Sequence, residues 1–218
     1  ALLAPSVSYP LFEILAAHQR VLLKPYQMKL DSQWRISEGS LLSSRAEEAR
    51  AVLIVSPHNP TGHIFSQYSA ALNALRLPVI CDEVFAEFTL NGVSAPPLAA
   101  LHPELPVFTL NGISKMFALP DLKLGWILLN EAAYAKYAAR LEILNDTFLG
   151  ASVLMQTMLP GLFANGRQFV DEMAGAIRTQ LHVALELLKS SSQISANAPQ
   201  GGYALLVKIE GAPDEEEL

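Results

Sequence analysis

Cysteine is almost missing from this chain. Cys81 stands alone, so no internal disulfide can form, and its apolar neighbours Pro78-Val-Ile80 point to a buried thiol in a reducing compartment such as the cytoplasm. Positive charge is also sparse: 15 Lys and Arg face 21 Asp and Glu, for a formal charge of −6 to which the Asp214–Glu217 run contributes. No Lys/Arg cluster is long enough to follow a phosphate backbone, which argues against nucleic acid as a partner. The five histidines are scattered without metal-ligand spacing, so no protein-built metal site is expected. Long hydrophobic runs are missing too. The uncharged stretches 51–75 and 148–166 are broken by Ser, Pro, His, Asn, Gln and Gly, a pattern that excludes a membrane span. Internal repeats and low-complexity tracts are absent. The chain opens on Ala1-Leu-Leu-Ala-Pro5, which reads as the interior of a strand, and a missing beginning is expected.

What is present is a core. With 51% apolar and 17% charged residues over 218 positions, the chain can bury a sizeable interior. Residues 1–4, 20–25, 51–56, 78–81, 106–110 and 124–129 read as strands, the last three as buried ones; several are apolar throughout rather than alternating, as parallel strands covered on both faces are. Helical spacing appears at 11–18, within the polar stretch 33–50, at 67–75, at 134–145 and over about 168–189, where Phe169, Met173, Ile177, Leu181, Leu185 and Leu188 form a stripe. Residues 201–209 read as one strand of a further unit, followed by an acidic tail. Strands separated by helices give an α/β layered sheet, whose ligands sit beyond the carboxyl ends of its strands.

Three polar residues fall at such ends. Asn59 follows the first central strand, Asp82 ends the second beside Glu83, and Lys115 lies in a loop after the third. Each has a plainer reading: an Asn-Pro turn for Asn59, a helix-capping carboxylate for Asp82, a surface lysine for Lys115.

The ordered segments Asn59-Pro-Thr-Gly62, Asp82-Glu-Val84, Ser114-Lys115 and Leu122-Lys-Leu-Gly-Trp126 resemble the signatures of class I/II, fold-type I aminotransferases. The likeness runs from Tyr9-Pro10 through Asp146-Thr-Phe-Leu149 to Gly201-Gly202. It implies a mostly parallel α/β sheet flanked by helices, with pyridoxal 5'-phosphate as cofactor. Residues 1–175 would form a cofactor-binding large domain, and 176–218 the end of an interdomain helix and the start of a truncated α+β small domain.

By the resemblance, Lys115 is the Schiff-base lysine and moves the proton at the substrate α-carbon. Asp82 keeps the cofactor's ring nitrogen protonated, Asn59 bonds its ring oxygen, and Tyr9 covers the ring. Phe85 stands where the family most often has a tyrosine, and Lys123 where an arginine usually forks onto the phosphate, so both positions depart from the pattern. Ser114 is the nearest hydroxyl for the phosphate.

The implied reaction moves an α-amino group between an amino acid and a 2-oxo acid in a homodimer. The rivals are a carbon-sulfur or other α-carbon lyase, a non-catalytic regulator domain that binds the cofactor, and an inactive fragment. The glycine-rich turn and carboxylate-clamping arginine of the family are not found, so weak cofactor binding or none is expected of the chain itself.

Overall fold

The computed structural model describes residues 1–44, 48–90 and 92–211. In chain order the elements begin with β1 (Leu2–Pro5), α1 (Leu11–His18), β2 (Leu23–Tyr26), β3 (Met28–Leu30), β4 (Trp34–Ile36), α2 (Glu38–Ser43), β5 (Ala51–Val55), α3 (Ala70–Leu75) and β6 (Val79–Asp82). There follow α4 (Leu98–Leu101), β7 (Val107–Gly112), α5 (Ile113–Met116), β8 (Gly125–Leu129), α6 (Glu131–Phe148), α7 (Val153–Asn165), α8 (Arg167–Leu188), β9 (Ile194–Ala196) and β10 (Val207–Ile209).

Six strands make one sheet in the order β2-β1-β5-β6-β7-β8, parallel throughout except that β8 runs antiparallel to β7. The apolar run of β5 sits at its centre because both of its faces are covered. Val52 and Ile54 join a core with Leu3, Leu41, Leu72, Val79 and Val107, while Leu53 and Val55 pack with Ala4 on the other side. Cys81 is free and fully buried in the first of these cores. Tyr26 buries its ring beside it and donates its hydroxyl to the Leu53 carbonyl at 2.8 Å, which satisfies the one polar atom that burial strands.

Short polar side chains set where helices start. Ser69 accepts from the Leu72 N–H to cap α3 and donates to Glu38 at 2.6 Å, joining α3 to α2. Asn130 caps α6 through the Ala133 N–H, accepts from Val107 N–H and donates to the Leu105 carbonyl, which pins that helix to the start of β7.

Several expectations change. The run 124–129 is not a buried strand: β8 lies at the sheet edge, and Ile127 and Leu128 are exposed. An apolar run tells that a strand can be covered, not that a neighbour covers it. Residues 201–209 are not one strand; only Val207–Ile209 pair, antiparallel with Ile194–Ala196, and Gly201 instead bridges to Thr89. The second strand starts at Leu23, because Arg20 turns the chain with φ +54° after α1. Phe169 does not join the buried stripe of α8, whose covered face centres on Val170 and Ala174. The β3–β4 hairpin and α7 were not anticipated. Within the stretch 33–50, residues 45–47 lie outside the described residues, as does the acidic run 214–217.

Candidate active site

Because β1, β5, β6 and β7 are parallel, their carboxyl ends share one edge of the sheet, and the chain's functional groups gather there. The antiparallel β8 begins at that same edge, with Gly125 opposite Gly112, and so brings Lys123 to it as well.

Asp82 is the last residue of β6. Its Oδ1 accepts the Val84 N–H at 3.1 Å. Burial pushes its carboxyl above the usual range, opposed by that N–H and by the nearby Lys115 ammonium. The helix-capping alternative belongs to the next residue: Glu83 is buried and accepts the Leu98 N–H at 2.8 Å, at the start of α4. Asp82 keeps its free valence for the cavity.

Lys115 is not in a loop but on α5, a single helical turn entered directly from β7. Asn111 secures the junction, accepting the Gly112 N–H at 2.7 Å and donating to the Glu83 carbonyl at 3.1 Å. The lysine-bearing turn is thereby tied to the segment that follows Asp82. On its far side Ile113 N–H donates to the Leu124 carbonyl at 3.1 Å. Lys123 follows a 3-10 turn (Pro120–Leu122) with φ +52°.

Asn59 sits in the tight turn after β5. His58 closes this turn: its N–H donates to the His63 carbonyl at 2.7 Å, its carbonyl accepts the Gly62 N–H at 2.7 Å, and its Nδ1 lies 2.8 Å from Thr61 Oγ1. His58 is 3% exposed, and burial, with His63 nearby, brings its imidazole down to about 4.

Tyr9, Asn59, Asp82, Phe85, Ser114, Lys115 and Lys123 all line one cavity of about 610 Å³. Every candidate residue read from the sequence is therefore on its wall. Tyr9 is 50% exposed at the rim, edge-on to Phe12 at 6.3 Å. Trp126 turns away and packs against Phe163. Two wall residues with polar side chains were not singled out: Asn111 and Tyr203. The Tyr203 ring stands edge-on to Phe85, 4.8 Å between centroids at 87°. The Gly201-Gly202 pair before it was the available signal, but the apolar residues after it masked the turn as strand. Among the described residues, no group of three or more His, Cys, Asp and Glu is placed to hold a metal ion, and no helix is long and apolar enough to cross a membrane.

A mixed, mostly parallel sheet flanked by helices, with a lysine turn, a half-buried acid and an amide at its carboxyl edge, is the large domain of fold-type I pyridoxal-phosphate proteins. The family model for aminotransferase class I and II matches residues 1–218, and the chain belongs to that family. The tyrosine aminotransferase of Caenorhabditis elegans is 24% identical over 95% of this chain and 47% of its own length. An alanine aminotransferase from Pyrococcus furiosus superposes with a TM-score of 0.87 at 21% identity, over 98% of this chain and 56% of that one. An aminotransferase from Escherichia coli does so at 0.86 and 24% identity, over 99% and 57%. The chain thus spans about half the length of the relatives it matches.

The residues present fit pyridoxal phosphate. A half-buried carboxylate compensated by one N–H and a neighbouring ammonium has acceptor capacity left for a cationic ring nitrogen. The cavity volume suits a small cofactor with a substrate beside it.

Proposed function

We propose that the protein, with pyridoxal phosphate, exchanges an α-amino group between an amino acid and a 2-oxo acid. The observation that carries this reading is the convergence of Lys115, Asp82 and Asn59, from three separate strand ends, on one cavity. When bound, the cofactor supplies an electron sink for the charge that develops at the substrate α-carbon. Lys115 would hold the cofactor and, as general base and then general acid, would carry the proton from the substrate α-carbon across to the cofactor side. Asp82 holds a protonated ring nitrogen by direct charge pairing in a site of low dielectric. The Asn59 amide donates to the ring oxygen. Ser114 and Lys123 take phosphate oxygens, Lys123 as a point charge without a fork. Tyr9 covers a ring face, and Phe85 offers wall without a donor.

Homodimer formation is part of the proposal. Phe148, Leu149, Val153 and Leu154 at the α6–α7 junction are each more than 70% exposed, an apolar surface suited to a second copy. The free, buried Cys81 accords with a cytoplasmic setting.

The test is product analysis. Appearance of a new amino acid from a supplied 2-oxo acid, lost in Lys115→Ala, supports transamination. Pyruvate and ammonia released without an oxo acid identify a lyase, and cofactor binding with neither product identifies a binding domain.

A further inference from the structure

The turn that carries Asn59 is held from outside by a segment more than 130 residues away. Gln200 and Gly201 both donate their backbone N–H to the Gly62 carbonyl at 3.0 Å. The Gln200 side-chain oxygen accepts the Ile64 N–H at 3.0 Å and lies 3.3 Å from His63 Nδ1. That oxygen can only accept, so a hydrogen bond across this contact needs the His63 proton on Nδ1. On its other side the same segment reaches the chain beyond Asp82: Leu90 N–H donates to the Gln200 carbonyl at 2.7 Å, and Gly202 N–H to the Phe88 carbonyl at 2.8 Å.

Close approach makes the fit specific. Gly62 has φ +69°, and a Cβ there would overlap the Pro199 ring, while a Cβ on Gly201 would lie 2.7 Å from Pro57 Cγ. Gln200 therefore lies between the Asn59 turn and the stretch following Asp82, bonded to both. Its side chain grips the outgoing limb of the turn, where the backbone bonds alone leave Ile64 unheld.

We propose that Gln200 is a positioning residue of this site, fixing the Asn59 turn through the Ile64 N–H and His63 so that the amide is held ready for the cofactor. The cofactor clause rests on the function proposed above; the mechanical clause does not. Gln200 touches neither cofactor nor substrate in this account and acts only through the turn.

The test has two arms. In the first, amide exchange is measured on the whole protein without cofactor. Gln200→Leu is expected to speed exchange at Ile64 about tenfold, the loss of one buried bond, while the β5 amides stay protected. Gln200→Glu keeps the acceptor and is expected to preserve Ile64. Unchanged protection of Ile64 in Gln200→Leu overturns the proposal. If β5 loosens as well, that variant reports on folding and His63 decides: its titration, followed by NMR, must move upward in Gln200→Glu, and an unmoved His63 overturns the contact.

In the second arm, pyridoxal phosphate is titrated by absorbance. Gln200→Leu is expected to weaken binding about fivefold to tenfold in the unaltered background and less than twofold in Asn59→Ala. Equal losses in both backgrounds make Gln200 merely structural and overturn the positioning claim. Where the unaltered protein binds too weakly to titrate, as the glycine-rich turn and arginine not found in the sequence lead one to expect, the exchange arm decides the mechanical clause.

Discussion

Lowering the pH from 7.5 to 4.5 should act on the Asn59 turn through His58. Buried against Thr61 and beside His63, this imidazole takes a proton in the fold only near pH 4, whereas in the unfolded chain it does so at the ordinary histidine value of 6.5. Between those values the unfolded state binds more protons, so native stability rises with pH and is lost as pH falls. At pH 4.5 the loss from this one residue comes to about 2.5 kcal/mol, a large share of the stability of a typical domain. His63, also held below its ordinary value by burial, adds to the same slope. Asp82 and Glu83 oppose it, because burial raises both and they protonate first in the fold. The decisive quantity is therefore the difference between the protein and His58→Gln in urea unfolding. We expect the advantage of the natural residue to shrink by about 2.5 kcal/mol from pH 7.5 to pH 4.5. An equal difference at both values would refute the claim that His58 is buried neutral.

Gly62→Ala should destabilise the protein by about 3 kcal/mol or more in the same assay, since it combines a left-handed backbone with an overlap on Pro199. The Cys81 thiol, fully buried and pushed upward by burial and by Glu83, should stay inert to a thiol reagent until urea unfolds the chain; reaction in the native state would contradict its placement. Asp82→Asn should lower any amino-group exchange by about a hundredfold or more, because the charge on the ring nitrogen loses its partner. Near-normal turnover in that variant would remove Asp82 from its proposed role.

The central sheet was legible because β5, β6 and β7 are short, largely apolar runs with a polar residue at or just beyond the carboxyl end, and that grammar put Asn59, Asp82 and Lys115 at one edge. Helix α1 was legible to the residue. What escaped notice depends on partners distant in sequence. Whether the run 124–129 is covered depends on its neighbours in the sheet, not on its own residues. The strands β3 and β4 are three residues each, too short for a period to show. Glu83 and Asp82 are adjacent carboxylates that only the fold separates, one to α4 and one to the cavity. Tyr203 and Gln200 enter the site region by closing contacts across more than a hundred residues, for which local pattern carries no signal.

The claim that Lys115 is the cofactor lysine is tested most directly by trapping. The protein is mixed with pyridoxal phosphate over rising concentration, reduced with borohydride and digested, and the labelled lysines are located by mass spectrometry. The account predicts that Lys115 is labelled first and that Asp82→Asn or Asn59→Ala weakens its lead. Labelling that spreads evenly over exposed lysines such as Lys29, Lys136 and Lys208, with no preference for Lys115, would contradict it.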